Sequence, residues 1–223
     1  MTTLDLTEEF RRRLDRKMAA RERALPASRR SIRASANAIR AIHRGDLDEA
    51  HRLMEVSRTA LMEGRDVLAA EPDVYHAGFH QDAQKEYAEA RLTEAIVAGF
   101  DLPSIDELDV DIAPYLNGMS ESIGEGRRAI LDLLRRGELE RSEQILTAME
   151  DMYFLLVSMD YPDAITGNLR RSTDVARGIL ERTRGDLSTA IVQRDLQRSL
   201  ERLAAQIRED LQGEPGRHEA PEP

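Results

Sequence analysis

The chain has 223 residues, 41% of them apolar and 33% charged, with a formal net charge of −10; this suits one helical domain, or at most two small ones, and excludes a disordered chain. It contains no cysteine, which excludes a disulfide framework and every thiolate metal site. No apolar run approaches the roughly 20 residues of a membrane span, and the opening MTTLDLTEEFRRRLDRK lacks the apolar core of a secretory signal, so the expected location is cytoplasmic, with no membrane partner.

Helical spacing of apolar residues recurs throughout, while period-two alternation and Asn-Gly or Asp-Gly turns are missing. A first long segment runs from about Leu4 to Arg44, interrupted or kinked near Pro26. Gly45-Asp46 reads as a helix end followed by a new N-cap. A second helix covers about Leu47 to Ala69, and a third about Asp73 to Ala98. Gly99 to Asp111 is a connection, with room for one helical turn after Ser104. The fourth helix carries Ile112, Leu116, Met119, Ile123, Ile130 and Leu134 and ends at Gly137. The fifth runs through Leu139, Leu146, Met149, Tyr153, Leu156 and Met159 to the break at Tyr161-Pro162. A sixth carries Ile165, Leu169, Val175 and Ile179. After Gly185 a seventh carries Leu187, Ile191, Leu196, Leu200, Leu203 and Ile207. The expected organisation is an all-α, seven-helix bundle over residues 1–211, with a disordered acidic, proline-rich tail over 212–223. No fixed period of the kind solenoids require is present.

Charge is unevenly placed. Between Phe10 and Arg44, twelve Lys and Arg stand against Asp15 and Glu22, so this segment carries +10 and the remainder −20. A basic arm on an acidic protein suits a polyanion, or an acidic surface of the same chain or of a neighbouring subunit. With nine aromatics and no tryptophan, base stacking is a minor resource. Nucleic-acid binding by this arm would therefore be directed at the backbone, salt-sensitive and poorly sequence-specific.

Two carboxylate pairs are candidates for chemistry. Glu86 and Glu89 in QKEYAEAR share a helix face, and Glu89 lies in line with Leu92 and Ile96, where a carboxylate is costly unless it meets a metal or a cation. Glu121 and Glu125 in YLNGMSESIGEGRR are one turn apart but fall opposite Met119, the centre of that helix's apolar stripe. Either pair reads as a solvated charged face or as ligands. Gly118, Gly124 and Gly126 beside the second pair cost about 1 kcal/mol each in a helix interior and make sense if another helix or a ligand approaches closely. Together the pairs suit Mg²⁺ or Mn²⁺, which prefer oxygen ligands and can activate water on a phosphodiester. His76 and His80 lack the glutamate of a zinc-protease motif and read as structural or surface residues.

These segments resemble a known family. QKEYAEA is similar to the QEYVEA-type segment of translin-associated factor X, and YLNGMSESIGEGRR to that family's YLxGxxxxxGExxR stretch, with Tyr115, Leu116, Gly118, Gly124, Glu125 and Arg128 in register. The basic beginning from Leu14 to Arg44 is similar to the family's first long helix, and NLRRSTDVARGILERTRGDL resembles its last third more loosely. The chain thus resembles the translin and translin-associated factor X family, nearest its catalytic branch in an archaeal-type form.

The resemblance implies a translin-type bundle assembled into closed homo-oligomers, a hexamer or octamer, enclosing single-stranded RNA or DNA. It implies Mg²⁺-dependent endoribonuclease activity with Glu86, Glu89, Glu121 and Glu125 as catalytic and metal-binding residues. Arg29, Arg30, Arg33, Arg40, Arg44 and Arg128 are the implied nucleic-acid-binding residues. Glu121 stands where the family usually has Asp, and Gly137-Glu138 where it commonly has Gly-Asp. The alternative is a translin-like protein that binds single-stranded nucleic acid without cutting it.

Overall fold

Helical periodicity without strand signals is matched by a molecule whose regular elements are all α-helices in the computed structural model, which describes residues 3–213. Six helices are long: α1 (Thr3–His43), α2 (Leu47–Leu68), α4 (Phe79–Ala98), α6 (Ile112–Arg135), α7 (Leu139–Ser158) and α9 (Leu169–Gly213). Three are single turns within connections: α3 (Pro72–Tyr75), α5 (Ile105–Leu108) and α8 (Asp163–Thr166). Past Gly213, the expected tail falls outside the described residues. No helix among the described residues is long and apolar enough to cross a membrane.

Local signals set several boundaries. Gly45 takes φ +76° after α1, and the Asp46 side chain accepts the Glu49 N–H at 3.2 Å, so the expected stop and N-cap are both present. Ser104 and Glu107 form a reciprocal capping box around α5.

Four boundaries differ from expectation. Pro26 does not interrupt α1: it lies on the exposed face, as does Glu22, whose carbonyl it leaves without a helical partner, while Ala24 and Ala27 are fully buried on either side of it. The expected third helix is split, because Gly78 takes φ +100° between α3 and α4. The expected sixth helix loses its start, because Gly167 takes φ +62° and leaves Ile165 in α8, while its remainder and the expected seventh are one, α9, which passes straight through the exposed Gly185. Thr183 and Leu187 are buried around that glycine, and their packing outweighs its roughly 1 kcal/mol penalty.

Small residues let α1 lie close against α2. The buried stripe of α1 includes Ala27, Ser31, Ala34, Ser35 and Ala38, and Ser57 of α2 hydrogen-bonds to both Ser31 and Ser35 at 2.7 and 2.8 Å. α4 packs on this pair, and α6 packs in turn on α4, α7 and α9. The core runs through Tyr87, Leu92 and Ile96 of α4, Met119, Ile123 and Ile130 of α6, and Ile145, Met149 and Met152 of α7. Beyond Leu187, α9 outruns this core. Val192, Leu196, Leu200, Leu203 and Ile207 are each more than half exposed, so the apolar stripe anticipated there faces solvent in the single chain.

His80 belongs to the core, being 1% exposed with neither ring nitrogen hydrogen-bonded. Gly64 makes room for it, since a Cβ there would come within 3.2 Å of His80 Nδ1. Burial, with help from the Arg65 charge, lowers the His80 pKa to about 4. The folded protein thus holds His80 neutral where the unfolded chain takes up a proton, and stability is lost as pH falls from about 6.5 towards 4. The loss approaches about 3 kcal/mol. Urea unfolding of wild type and His80→Leu at neutral and acid pH checks this: the variant should lose correspondingly less stability on acidification, and parallel losses would contradict it.

Candidate metal and nucleic-acid site

The site is built where α4 and α6 touch. A Cβ on Gly118 would lie 2.7 Å from the Lys85 carbonyl oxygen and 2.9 Å from the Glu89 nitrogen, so at this point the two helices meet backbone to backbone. Gly118, Glu121 and Glu125, at i, i+3 and i+7, share the face of α6 that is turned to α4. The expectation that a second helix approaches the glycines is met at Gly118, and also at Gly126, whose added Cβ would lie 2.9 Å from Met149 and 3.0 Å from Ile96. The Met119 stripe therefore marks only one buried side of α6. Glu121 and Glu125 lie off that stripe, at the rim of the α4 contact.

Glu86, Glu89 and Glu121 each direct an oxygen to one place, where these atoms lie within 4.8 Å of one another. Glu89 is 9% exposed. Its burial, together with the charges of Glu121, Glu86 and Glu125, pushes its carboxyl pKa up to about 8, against the pull of Lys85. Lys85 Nζ donates to both Glu121 oxygens at 2.7 Å and lies 3.4 Å from Glu86. Glu125 stands beside this trio rather than in it. It pairs with His43 Nε2 at 2.5 Å and lies 3.6 Å from Arg128. The His43 hydrogen bond holds the Glu125 carboxyl below its ordinary range, against burial.

The donor set is all oxygen, partly dry and rich in negative charge, which suits a hard divalent cation and not a soft one. Three convergent carboxylates with one nearby ammonium leave net negative charge in a half-buried place, a costly arrangement unless a cation completes it.

The basic residues divide. Arg29, Arg33 and Arg40 recur at helical spacing along one exposed side of α1, opposite its buried stripe, and Arg44 follows immediately after its end. Arg29 and Arg33 make no ion pair among the described residues; Arg40 donates to Asn37 at 2.7 Å. Arg30 lies off this line and pairs with Glu63 of α2. Arg128 is exposed beside Glu125. His43, the last residue of α1, pairs with Glu125, so the end of this arginine-bearing helix adjoins α6 at the second carboxylate pair.

Reading the sequence alone missed His43 and Lys85. Lys85 sits inside the QKEYAEA segment next to Glu86, and its being one of only two lysines was an available signal. His43 offers none locally, since its partner Glu125 is 82 residues away.

No family model matches the chain. The uncharacterised protein MJ0175 of Methanocaldococcus jannaschii is 35% identical over 193 residues, covering 85% of each chain. Among solved structures, the chain is similar to AfC3PO, with 33% identity, a TM-score of 0.78, and coverage of 84% of this chain and 98% of that one. It matches AfC3PO in complex with duplex RNA at 32% identity and a TM-score of 0.77, over 84% of this chain and 97% of that one. Apo-NeC3PO, at 23% identity and a TM-score of 0.69 over 85% and 98% of the two chains, shares the fold.

Proposed function

The chain belongs to the translin and translin-associated factor X family, and on that premise we propose that it binds RNA along α1 and cuts its backbone at the α4–α6 carboxylates with Mg²⁺ or Mn²⁺. The observation that carries this reading is Glu89, a carboxyl group nine-tenths buried against two others. Glu86, Glu89 and Glu121 would hold the ion, with Glu125 at the edge. When bound, such an ion supplies Lewis-acid activation of water and neutralises charge on the phosphodiester.

The chain's own residues do the rest. Arg29, Arg33, Arg40 and Arg44 hold backbone phosphates. Glu89, which keeps its proton at neutral pH, would hold the ion as the carboxylate. Glu125 fixes the His43 ring through Nε2, leaving that pair as a place to hold a proton beside the cleaved bond. The likeness to a protein solved with duplex RNA favours RNA as the ligand class, so single-stranded and duplex RNA both belong in the test.

Incubation of each labelled RNA with the protein in Mg²⁺, in Mn²⁺ or in EDTA tests the reading. Cleavage of the single strand with metal and none in EDTA is expected. Binding without cleavage in either metal would leave a binding protein. That second reading is favoured by one observation: Glu121 and Glu125 already have Lys85 and His43 as partners.

Removing two arginines of the stripe that make no ion pair among the described residues should weaken binding measurably. Arg29→Ala with Arg33→Ala is expected to lower affinity for single-stranded RNA by about tenfold at moderate salt and to reduce the salt slope by about 1.4, the loss of two phosphate contacts. Unchanged affinity across salt would take the stripe out of the RNA path. The exposed apolar stripe of α9 supports assembly, with Val192 to Ile207 covered by further copies of this chain. Sedimentation should give a closed oligomer, and a stable single-subunit mass would contradict this.

A further inference from the structure

Lys85 stands among the carboxylates like a bound cation. Its ammonium takes both oxygens of Glu121 at 2.7 Å and lies 3.4 Å from Glu86, and these are two of the three convergent side chains. It therefore already occupies lone pairs that a divalent ion needs. The residue type matters. An ammonium is a compact point charge on a flexible stem, able both to sit where a small cation sits and to swing out, whereas a guanidinium is a planar fork.

In a chain with 32 basic residues only two are lysines, and each bridges two carboxylates: Lys17 between Asp73 and Glu71, Lys85 between Glu121 and Glu86. The Lys85 backbone is held within α4, with its carbonyl packed close to α6 at Gly118, so adjustment falls to the side chain. Glu121, reaching one methylene further than an aspartate, is the carboxylate it holds.

Building on the metal-site reading, we propose that Lys85 is a tethered counter-cation that competes with the divalent ion for Glu121 and so sets the metal concentration at which the site loads. One positive charge balances only one of the carboxylates, so the site still draws a divalent ion, but the ion must first displace the ammonium. The device keeps the empty cluster from repelling itself apart. Its cost is weaker metal binding.

The test is Mn²⁺ binding to the full-length chain at slightly alkaline pH, read by electron paramagnetic resonance, for wild type, Lys85→Met and Lys85→Gln. Both variants should bind the ion about tenfold or more tightly than wild type, the signature of a competitor removed. Equal or weaker binding in the variants would overturn the proposal and make Lys85 a support for the ion. Absence of Mn²⁺ binding in all three proteins, up to millimolar concentration, would remove the metal reading itself and this proposal with it.

A measurement on the unmutated chain does not depend on how the variants fold. With two lysines in all, ¹⁵N-lysine labelling gives two side-chain signals. Saturation with Mg²⁺ should shift that of Lys85 and leave that of Lys17 in place. A Lys85 signal unmoved at saturation would overturn the proposal.

Discussion

Gly118→Ala is expected to destabilise the protein by about 3 kcal/mol and to abolish RNA cleavage, whereas Gly124→Ala on the same helix is expected to be neutral or stabilising. The added methyl at position 118 would meet the Lys85 carbonyl at 2.7 Å and the Glu89 nitrogen at 2.9 Å. Both are backbone atoms of a buried helix and cannot step aside as the end of a side chain could. Alanine's better helix propensity returns only about 1 kcal/mol, so the steric term wins. Position 124 has the opposite balance. Its new methyl would meet only Ile179 Cδ1, at an ordinary 3.8 Å, and the propensity gain stands alone. Because Gly118 also sets the distance between the two carboxylate pairs, its substitution should disable the site even where the chain still folds. Urea denaturation of both variants, with cleavage assayed alongside, tests the argument; equal stability of the two would refute it.

Glu89→Gln is expected to raise the stability of the metal-free protein at alkaline pH while removing its response to Mg²⁺. In the folded state Glu89 keeps its proton up to about pH 8, while in the unfolded chain the carboxyl ionises near its ordinary value of 4.5. The folded state therefore holds a proton that the unfolded state has lost, and stability falls as pH rises between these values. By the size of the shift, the loss is on the order of 4–5 kcal/mol above pH 8. A neutral amide does not titrate and escapes it, as the protonated acid does at low pH. A divalent ion should restore the loss in wild type by accepting the charge. Thermal melting at acid and alkaline pH, with EDTA or Mg²⁺, reads all four states. A Glu89→Gln melting temperature that tracks wild type at every pH would contradict the burial argument.

How much the sequence discloses depends on the range of the interaction concerned. Helix existence follows from local periodicity and was legible almost everywhere. Helix continuity was not, because packing decides it: Ala24 and Ala27 carry α1 past Pro26, and Thr183 and Leu187 carry α9 past Gly185, while Gly78 breaks its segment by backbone conformation alone. The stripe from Leu196 to Ile207 was legible as apolar, but its exposure was not, since nothing local says where the rest of the bundle ends.

The site shows the same division. Glu89 was legible because it breaks the apolar line of Leu92 and Ile96. Glu121 and Glu125 were placed opposite the apolar stripe of their helix, correctly for Met119 but without the second contact that Gly118 permits. The glycine was the clue to that contact. His43 and Lys85 act through partners 82 and 36 positions away, and no spacing rule reaches that far.

The most direct test of the central claim, that the α4–α6 carboxylates form a metal-dependent cutting site, is cleavage of a 5′-labelled single-stranded RNA by wild type in Mg²⁺, wild type in EDTA, and Glu89→Gln in Mg²⁺, with binding measured in each. Cleavage in the first alone and RNA binding in all three are expected. Equal cutting by Glu89→Gln, or binding without cutting by wild type in both Mg²⁺ and Mn²⁺, would contradict it.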